Sequence, residues 1–319
     1  TFWLETSLVR PALPRRPSSL TGSSTAGLSL PRTPSALRAL MDCAHEMLQA
    51  AADAPSGPAK RTSDGWAVAT EAVAAQAADK AADCVEQARQ LPAALEEIAP
   101  LLDKLAAGTH VAVVTLLGSL CPVTLGHIQG FLEARKILLA EPGVRRPARL
   151  EAFGEVLGFI SLNGDGHVGR KVAAQAQRAL DMDQRRHLVS LATEEYPWIQ
   201  QERNEGRTLS ELTSWWSQLN FVHFCMNGAD DVVKYRKYSW SSPRNRFITM
   251  GRPGYTEAVV EGIRDSQIDV EAGYFILGPQ LEDVSSSAVR EALVQGNDAA
   301  LRGLLNERVA DWCLANYRT

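Results

Sequence analysis

The chain has 319 residues, 45% of them hydrophobic, and a formal charge of −4 at pH 7. That length accommodates one large domain with an accessory region or two modest domains, and the mild acidity argues against a nucleic-acid-binding surface. Five cysteines form no CxxC pair, which reads as reduced intracellular thiols rather than a disulfide framework, and no apolar run reaches the ~18 residues a membrane helix needs.

Residues 1–40 are rich in Ser, Thr, Pro and Arg, carry Glu5 as their sole acid and lack an apolar signal core. Residues 1–35 therefore read as a disordered tail or an organellar targeting segment, not a secretory signal. The expected location is intracellular: cytoplasm or nucleus, with a mitochondrion or plastid left open by the Arg/Ser-rich start. Three Ala-rich stretches follow at 35–53, 64–91 and 93–107, helical by composition and separated by "APSGPAK" and Pro92. They make residues 36–107 an α-helical N-terminal extension with no convergent polar constellation, suited to packing on the rest of the chain or to self-association, so a homo-oligomer stays open.

From Gly108 the pattern changes. Strand-like runs stand at "HVAVVTLL", "EVLGFISL", "LNFVHFCM", "NRFITMG" and "GYFILGP", with helical spacing near 126–140, 169–193, 208–218, 254–264 and 287–295. Apolar strands alternating with helices predict an α/β, Rossmann-like domain over 108–319, a central parallel sheet with helices on both faces. Ligands in such sheets sit at the carboxyl ends of the strands.

The first strand ends in "GSLCPVTLGH". There is no GxGxxG after it and no GxxxxGK[ST] anywhere, which removes support from dinucleotide-fold and Walker-type readings. Gly118 and Ser119 let the backbone approach a ligand, and Thr124 can cap the next helix, whose free N–H groups attract phosphate. His127 falls in the first turn with its side chain leaning back toward the N-terminus, and Gly126 keeps Cβ bulk away from the space between. The bland alternative is an ordinary capped helix with a half-buried histidine. Near the C-terminus, "LEDVSSSAVREALVQGN" places Ser285 and Ser286 at a helix cap and Arg290 one turn on, a set of hydroxyls, amides and a guanidinium suited to a polyphosphate. A capped surface helix with a solvated Arg is the alternative. His45, His110, His187 and His223 show no metal-ligand spacing.

Thr124-Leu-Gly-His127 and Val284-Ser-Ser-Ser-Ala-Val-Arg290 resemble the [HT]xGH and [IV]SS[TS]xIR signatures of the nucleotidylyltransferase superfamily. "GFISLNGDGHVGRK", "LATEEYPWIQ", "FCMNGADDV" and "FITMGRPGYTEAV" are similar, in collinear order over 108–319, to segments of the nicotinamide/nicotinate mononucleotide adenylyltransferases. The resemblance implies adenylyl transfer from ATP to nicotinamide or nicotinate mononucleotide, with pyrophosphate released. It implies ATP phosphates at Gly118, Ser119, Gly126, Ser285 and Ser286, with His127, Thr124 and Arg290 as catalytic residues. The mononucleotide falls by the same resemblance to Ser161, Asp165, Arg170, Lys171, Asp230 and Trp240, the last stacking on the pyridine ring. Mg²⁺ would be carried by the ATP phosphates, with no protein side chain assigned as its ligand. Partners are thus ATP and the mononucleotide, with neither nucleic acid nor membrane. Asn204-Glu205 stands where the family often has a Trp-Glu pair. Another phosphate acceptor within the superfamily, or a nucleotide-binding scaffold with weak turnover, are the competing readings.

Overall fold

Val111 to Val114 form a run of four apolar residues, and all four are buried at the centre of β1 (His110–Gly118). A strand apolar on both faces belongs inside a sheet covered on both sides. The computed structural model, which describes residues 91–174, 177–202 and 207–317, places it there. Six strands pair in parallel: β1, β2 (Glu155–Leu162), β3 (Ile199–Gln201), β4 (Asn220–Gly228), β5 (Arg246–Gly251) and β6 (Phe275–Gln280). Their order is β3-β2-β1-β4-β5-β6, the doubly wound arrangement of Rossmann-like sheets.

Helices cover both faces. Five helices pack on one: α3 (Leu125–Leu138), α4 (Asp165–Ala173), α5 (Met182–Thr193), α9 (Ser286–Gln295) and α11 (Glu307–Asn316). There Phe131, Val168, Leu188, Val289 and Val309 meet Val114, Ile160, Phe224 and Ile248 in one apolar cluster. Gly158 of β2 is required here, since a Cβ would lie 2.8 Å from the Phe131 ring. The other face carries α1 (Ala93–Glu96), α2 (Ala99–Leu102) and α6 (Thr208–Trp215) over Val111, Val113, Leu157 and Phe159. Beside them, α7 (Ala229–Tyr235) and α8 (Thr256–Asp265) cover Phe247 and Phe275. The remaining helix, α10 (Asp298–Leu304), links α9 to α11. Burying each large aliphatic or aromatic side chain stabilises by about 1.5–3 kcal/mol, so both faces are needed to hold the sheet.

The five predicted strands correspond to β1, β2, β4, β5 and β6; β3 is an addition, three residues long and without readable periodicity. The helix predicted at 169–193 is two helices. Asp181 interrupts it, capping α5 by accepting from the Gln184 amide at 2.8 Å while the Gln184 side chain accepts from the Asp181 amide. The stretch at 93–107 also divides, because Pro100 starts a new helix rather than continuing one. Leu95, Ile98 and Leu102 from that stretch are buried in the sheet's second face. The helices expected at 35–53 and 64–91, apart from its last residue, and the segment 1–35 lie outside the described residues. Among the described residues no helix is long and apolar enough to cross a membrane.

Candidate functional site

The strand order reverses at β1, whose neighbours β2 and β4 lead the chain to opposite sides; the crevice at the C-terminal ends there is the expected ligand position. The loop after β1 has an unusual path. Leu120 is a non-glycine residue at φ +43°, left-handed backbone that costs about 1–2 kcal/mol. Its side chain is buried, and the Cys121–Pro122 peptide that follows is cis. The loop ends at Thr124, whose extended backbone caps the 14-residue helix α3.

His127 closes this helix end. Its Nδ1 accepts the Thr124 backbone N–H at 3.0 Å and lies 2.7 Å from Thr124 Oγ1. An amide can only donate, so Nδ1 carries no proton and the neutral ring bears it on Nε2. Burial first, then the nearby Arg252 and Lys171 cations, lower the His127 pKa from 6.5 to about 4. His127 as a residue is half-buried. At neutral pH it is therefore a neutral N–H donor at a helix N-terminus, flanked by two cations. A neutral N–H donor at a helix N-terminus near two cations is chemically suited to an anion.

The second motif meets the first. A Cβ on Gly126 would lie 3.3 Å from the Val284 carbonyl oxygen, so glycine is what lets α3 and the start of the 284–290 segment abut. Ser285 caps α9, accepting from the Ala288 amide at 3.2 Å. Ser286 Oγ donates to the Pro122 carbonyl at 2.7 Å. Arg290 is 4% exposed; its guanidinium donates to the Cys121 carbonyl at 2.7 Å, to Gln177 Oε1 at 2.5 Å and to Ser287 Oγ at 3.1 Å. The sequence suggested a guanidinium and hydroxyls aimed at a ligand. Ser286 and Arg290 hold the Pro122 and Cys121 carbonyls of the loop that leads into Thr124 and His127.

The remaining sequence-derived positions lie on several elements, and Trp240, whose carbonyl accepts from Asn245 just before β5, sits at the N-terminal end of that strand rather than at the crevice. Gly118 accepts from the Asn163 amide at 2.9 Å, and the Ser119 carbonyl accepts from Arg185 at 3.0 Å. Asp165 opens α4 and pairs with Arg185 at 2.7 Å. Arg170 and Lys171 are exposed in the last turn of α4, and Lys171 is close enough to His127 to act on its charge. Ser161, level with Leu117 at the end of β1, donates its Oγ hydrogen to Glu202. Asp230, in the first turn of α7, pairs with Arg252 at 3.2 Å. Trp240 stands in the 3₁₀ turn Lys237–Trp240 and is 52% exposed. Asn204-Glu205 lies outside the described residues.

Two residues escaped the sequence reading. Arg252 follows β5 and bridges Asp230 and Asp283, the latter at 3.2 Å, while bearing on His127. Its signal was its place: a cation directly after a predicted parallel strand. Arg185 is fully buried. Its signal was its register with Leu188, Val189 and Ala192, which puts an arginine on the apolar stripe of α5. Among the described residues no group of three or more His, Cys, Asp or Glu side chains could hold a metal ion.

Fold and crevice together define an open, doubly wound α/β protein with the N-terminal end of a capped helix at its switch point. No family model and no curated protein matches the chain. Among solved structures it is similar to Plasmodium falciparum nicotinic acid mononucleotide adenylyltransferase complexed with APC, with 13% identity, TM-score 0.41, and 65% of this chain and 96% of that chain covered. The same enzyme complexed with NaAD gives 12% identity and TM-score 0.40, covering 65% and 95% respectively. Likeness at this level carries no statement about activity.

Proposed function

We propose that the chain transfers an adenylyl group from ATP to the 5′-phosphate of nicotinamide or nicotinate mononucleotide. The observation that supports this best is His127. It is a neutral ring whose tautomer is set by the Thr124 amide, with its remaining N–H free to donate at a helix N-terminus between Arg252 and Lys171. In this reading the acceptor's phosphate oxygen attacks the α-phosphorus and pyrophosphate leaves. The nucleophile is already ionised at neutral pH, so no general base is needed and catalysis comes from alignment and charge stabilisation.

His127 Nε2–H donates to an α-phosphate oxygen, the amides at the start of α3 hold the neighbouring phosphate, and Arg252, Arg170 and Lys171 balance charge. Ser286 and Arg290 support this by fixing the 121–124 loop. Mg²⁺ would arrive on the triphosphate and neutralise its charge. The donor set fits that role rather than a resident metal, since Asp230 and Asp283 are both engaged by Arg252. One observation favours a second reading, a nucleotide binder with weak turnover: Ser286 and Arg290 are engaged by the Pro122 and Cys121 carbonyls of the loop before α3. Incubation with ATP, Mg²⁺ and each mononucleotide in turn separates them. Dinucleotide product supports transfer and identifies the preferred ring. ATP binding without product from either acceptor refutes it.

A further inference from the structure

Arg185 has 0% side-chain exposure, whereas its carboxylate partner Asp165 is 54% exposed. Nη1 donates to the Ser119 carbonyl at 3.0 Å and Nη2 to Asp165 Oδ1 at 2.7 Å, with Met182 Sδ at 3.8 Å. Nε is buried with no hydrogen-bond partner among the described residues. A guanidinium held this way is costly, and an apolar side chain on this stripe of α5 would serve packing better. Its cost needs a function. Having no solvent-facing surface, Arg185 does not itself touch a ligand.

We propose that Arg185 is a positioning residue that locks the turn after β1 to helix α4, presenting the donor and acceptor phosphates to each other in register. At one end it draws the Ser119 carbonyl inward. The peptide is planar and trans, so the Leu120 N–H points away from Arg185, and the left-handed conformation of Leu120 is kept from relaxing. At the other end it holds Asp165, the first residue of α4, whose last turn carries Arg170 and Lys171. The two arms converge: the turn leads into Thr124 and His127, and Lys171 lies near His127. One buried fork therefore spans both sides of the crevice. Lysine, with a point charge on a flexible stem, cannot hold both partners in fixed geometry.

The identity of the two phosphates rests on the adenylyl-transfer reading, whereas the mechanical link does not. The test pairs Arg185→Lys with Asp165→Asn; the second variant changes a half-exposed residue and keeps the experiment decisive if the first fails to fold. Arg185→Lys should raise KM for both ATP and the mononucleotide and lower kcat, each by about 10-fold. Asp165→Asn should raise the mononucleotide KM by about 10-fold with ATP unaffected, and adding it to Arg185→Lys should change that KM by less than about 2-fold. Additive effects would mean that Asp165 acts independently, and a lowered melting temperature with unchanged KM values would make Arg185 purely structural; either overturns the proposal. Calorimetry with a non-hydrolysable ATP analogue supplies a readout free of turnover. If the wild-type chain makes no dinucleotide, adenylyl transfer fails. The link still stands if Arg185→Lys weakens analogue binding about 10-fold, and falls if that affinity is unchanged.

Discussion

If the chain transfers adenylyl groups as proposed, replacing His127 by alanine removes a single donor from the point where charge develops on the α-phosphate. Loss of one such preorganised donor lowers kcat by about 10²- to 10³-fold, or about 3–4 kcal/mol of transition-state stabilisation. The KM for ATP should change much less, because the α3 amides and the Arg252 and Lys171 cations hold the ground-state phosphates as well. The fold should survive. The Thr124 amide loses its acceptor, a cap-sized loss of about 1 kcal/mol. His127→Gln, which restores an N–H donor of comparable reach, should recover part of the loss. The assay is steady-state pyrophosphate release, with thermal melts on the same preparations. A His127→Ala variant within about 3-fold of wild-type kcat would refute the assignment, since an interaction specific to the transition state cannot be removed at so little cost.

Three further outcomes follow from named contacts. His127 titrates at about 4 in the folded chain against 6.5 unfolded, so the unfolded chain holds more protons between those values. Its contribution to stability is complete above pH 6.5 and is lost as pH falls toward 4, about 3 kcal/mol in all; urea titrations should show wild type losing that much more than His127→Ala between pH 7.5 and 4, and equal losses would contradict the shift. Gly126→Ala puts a methyl 3.3 Å from the Val284 carbonyl, so the two motifs must part by a few tenths of an ångström. ATP KM should rise severalfold while a urea titration moves by less than about 1 kcal/mol, because alanine's helix propensity offsets the strain. Glu155→Gln leaves Arg135, now 2.6 Å from Glu155 Oε1, without its buried anion and should cost about 3 kcal/mol in chemical denaturation with kcat unchanged.

The sheet was legible because its strands are short, wholly apolar runs with helices between them, and five of the six can be found that way. β3 escaped because "IQQ" has neither length nor alternation; its partner β2 supplies the pairing that makes it a strand. The break between α4 and α5 was hidden for a related reason. Helical composition continues through it, and only the Asp181–Gln184 capping box marks the restart. In the site, Thr124, Gly126 and His127 could be placed because an N-cap fixes geometry within one turn. The hydrogen bonds of Arg290 could not, since Cys121 and Gln177 are distant in sequence and only the fold brings them to its guanidinium. Arg252 and Arg185 share that difficulty. Each derives its role from partners on other elements, so residue type and spacing show where they stand but not what they hold.

The most direct test of adenylyl transfer follows the label on ATP. With Mg²⁺ and the preferred mononucleotide, attack at the α-phosphorus carries label from [α-³²P]ATP into the dinucleotide and label from [γ-³²P]ATP into pyrophosphate. Release of γ-label as inorganic phosphate, or its appearance on the acceptor, would place the reaction at a different phosphorus and contradict the role given to His127.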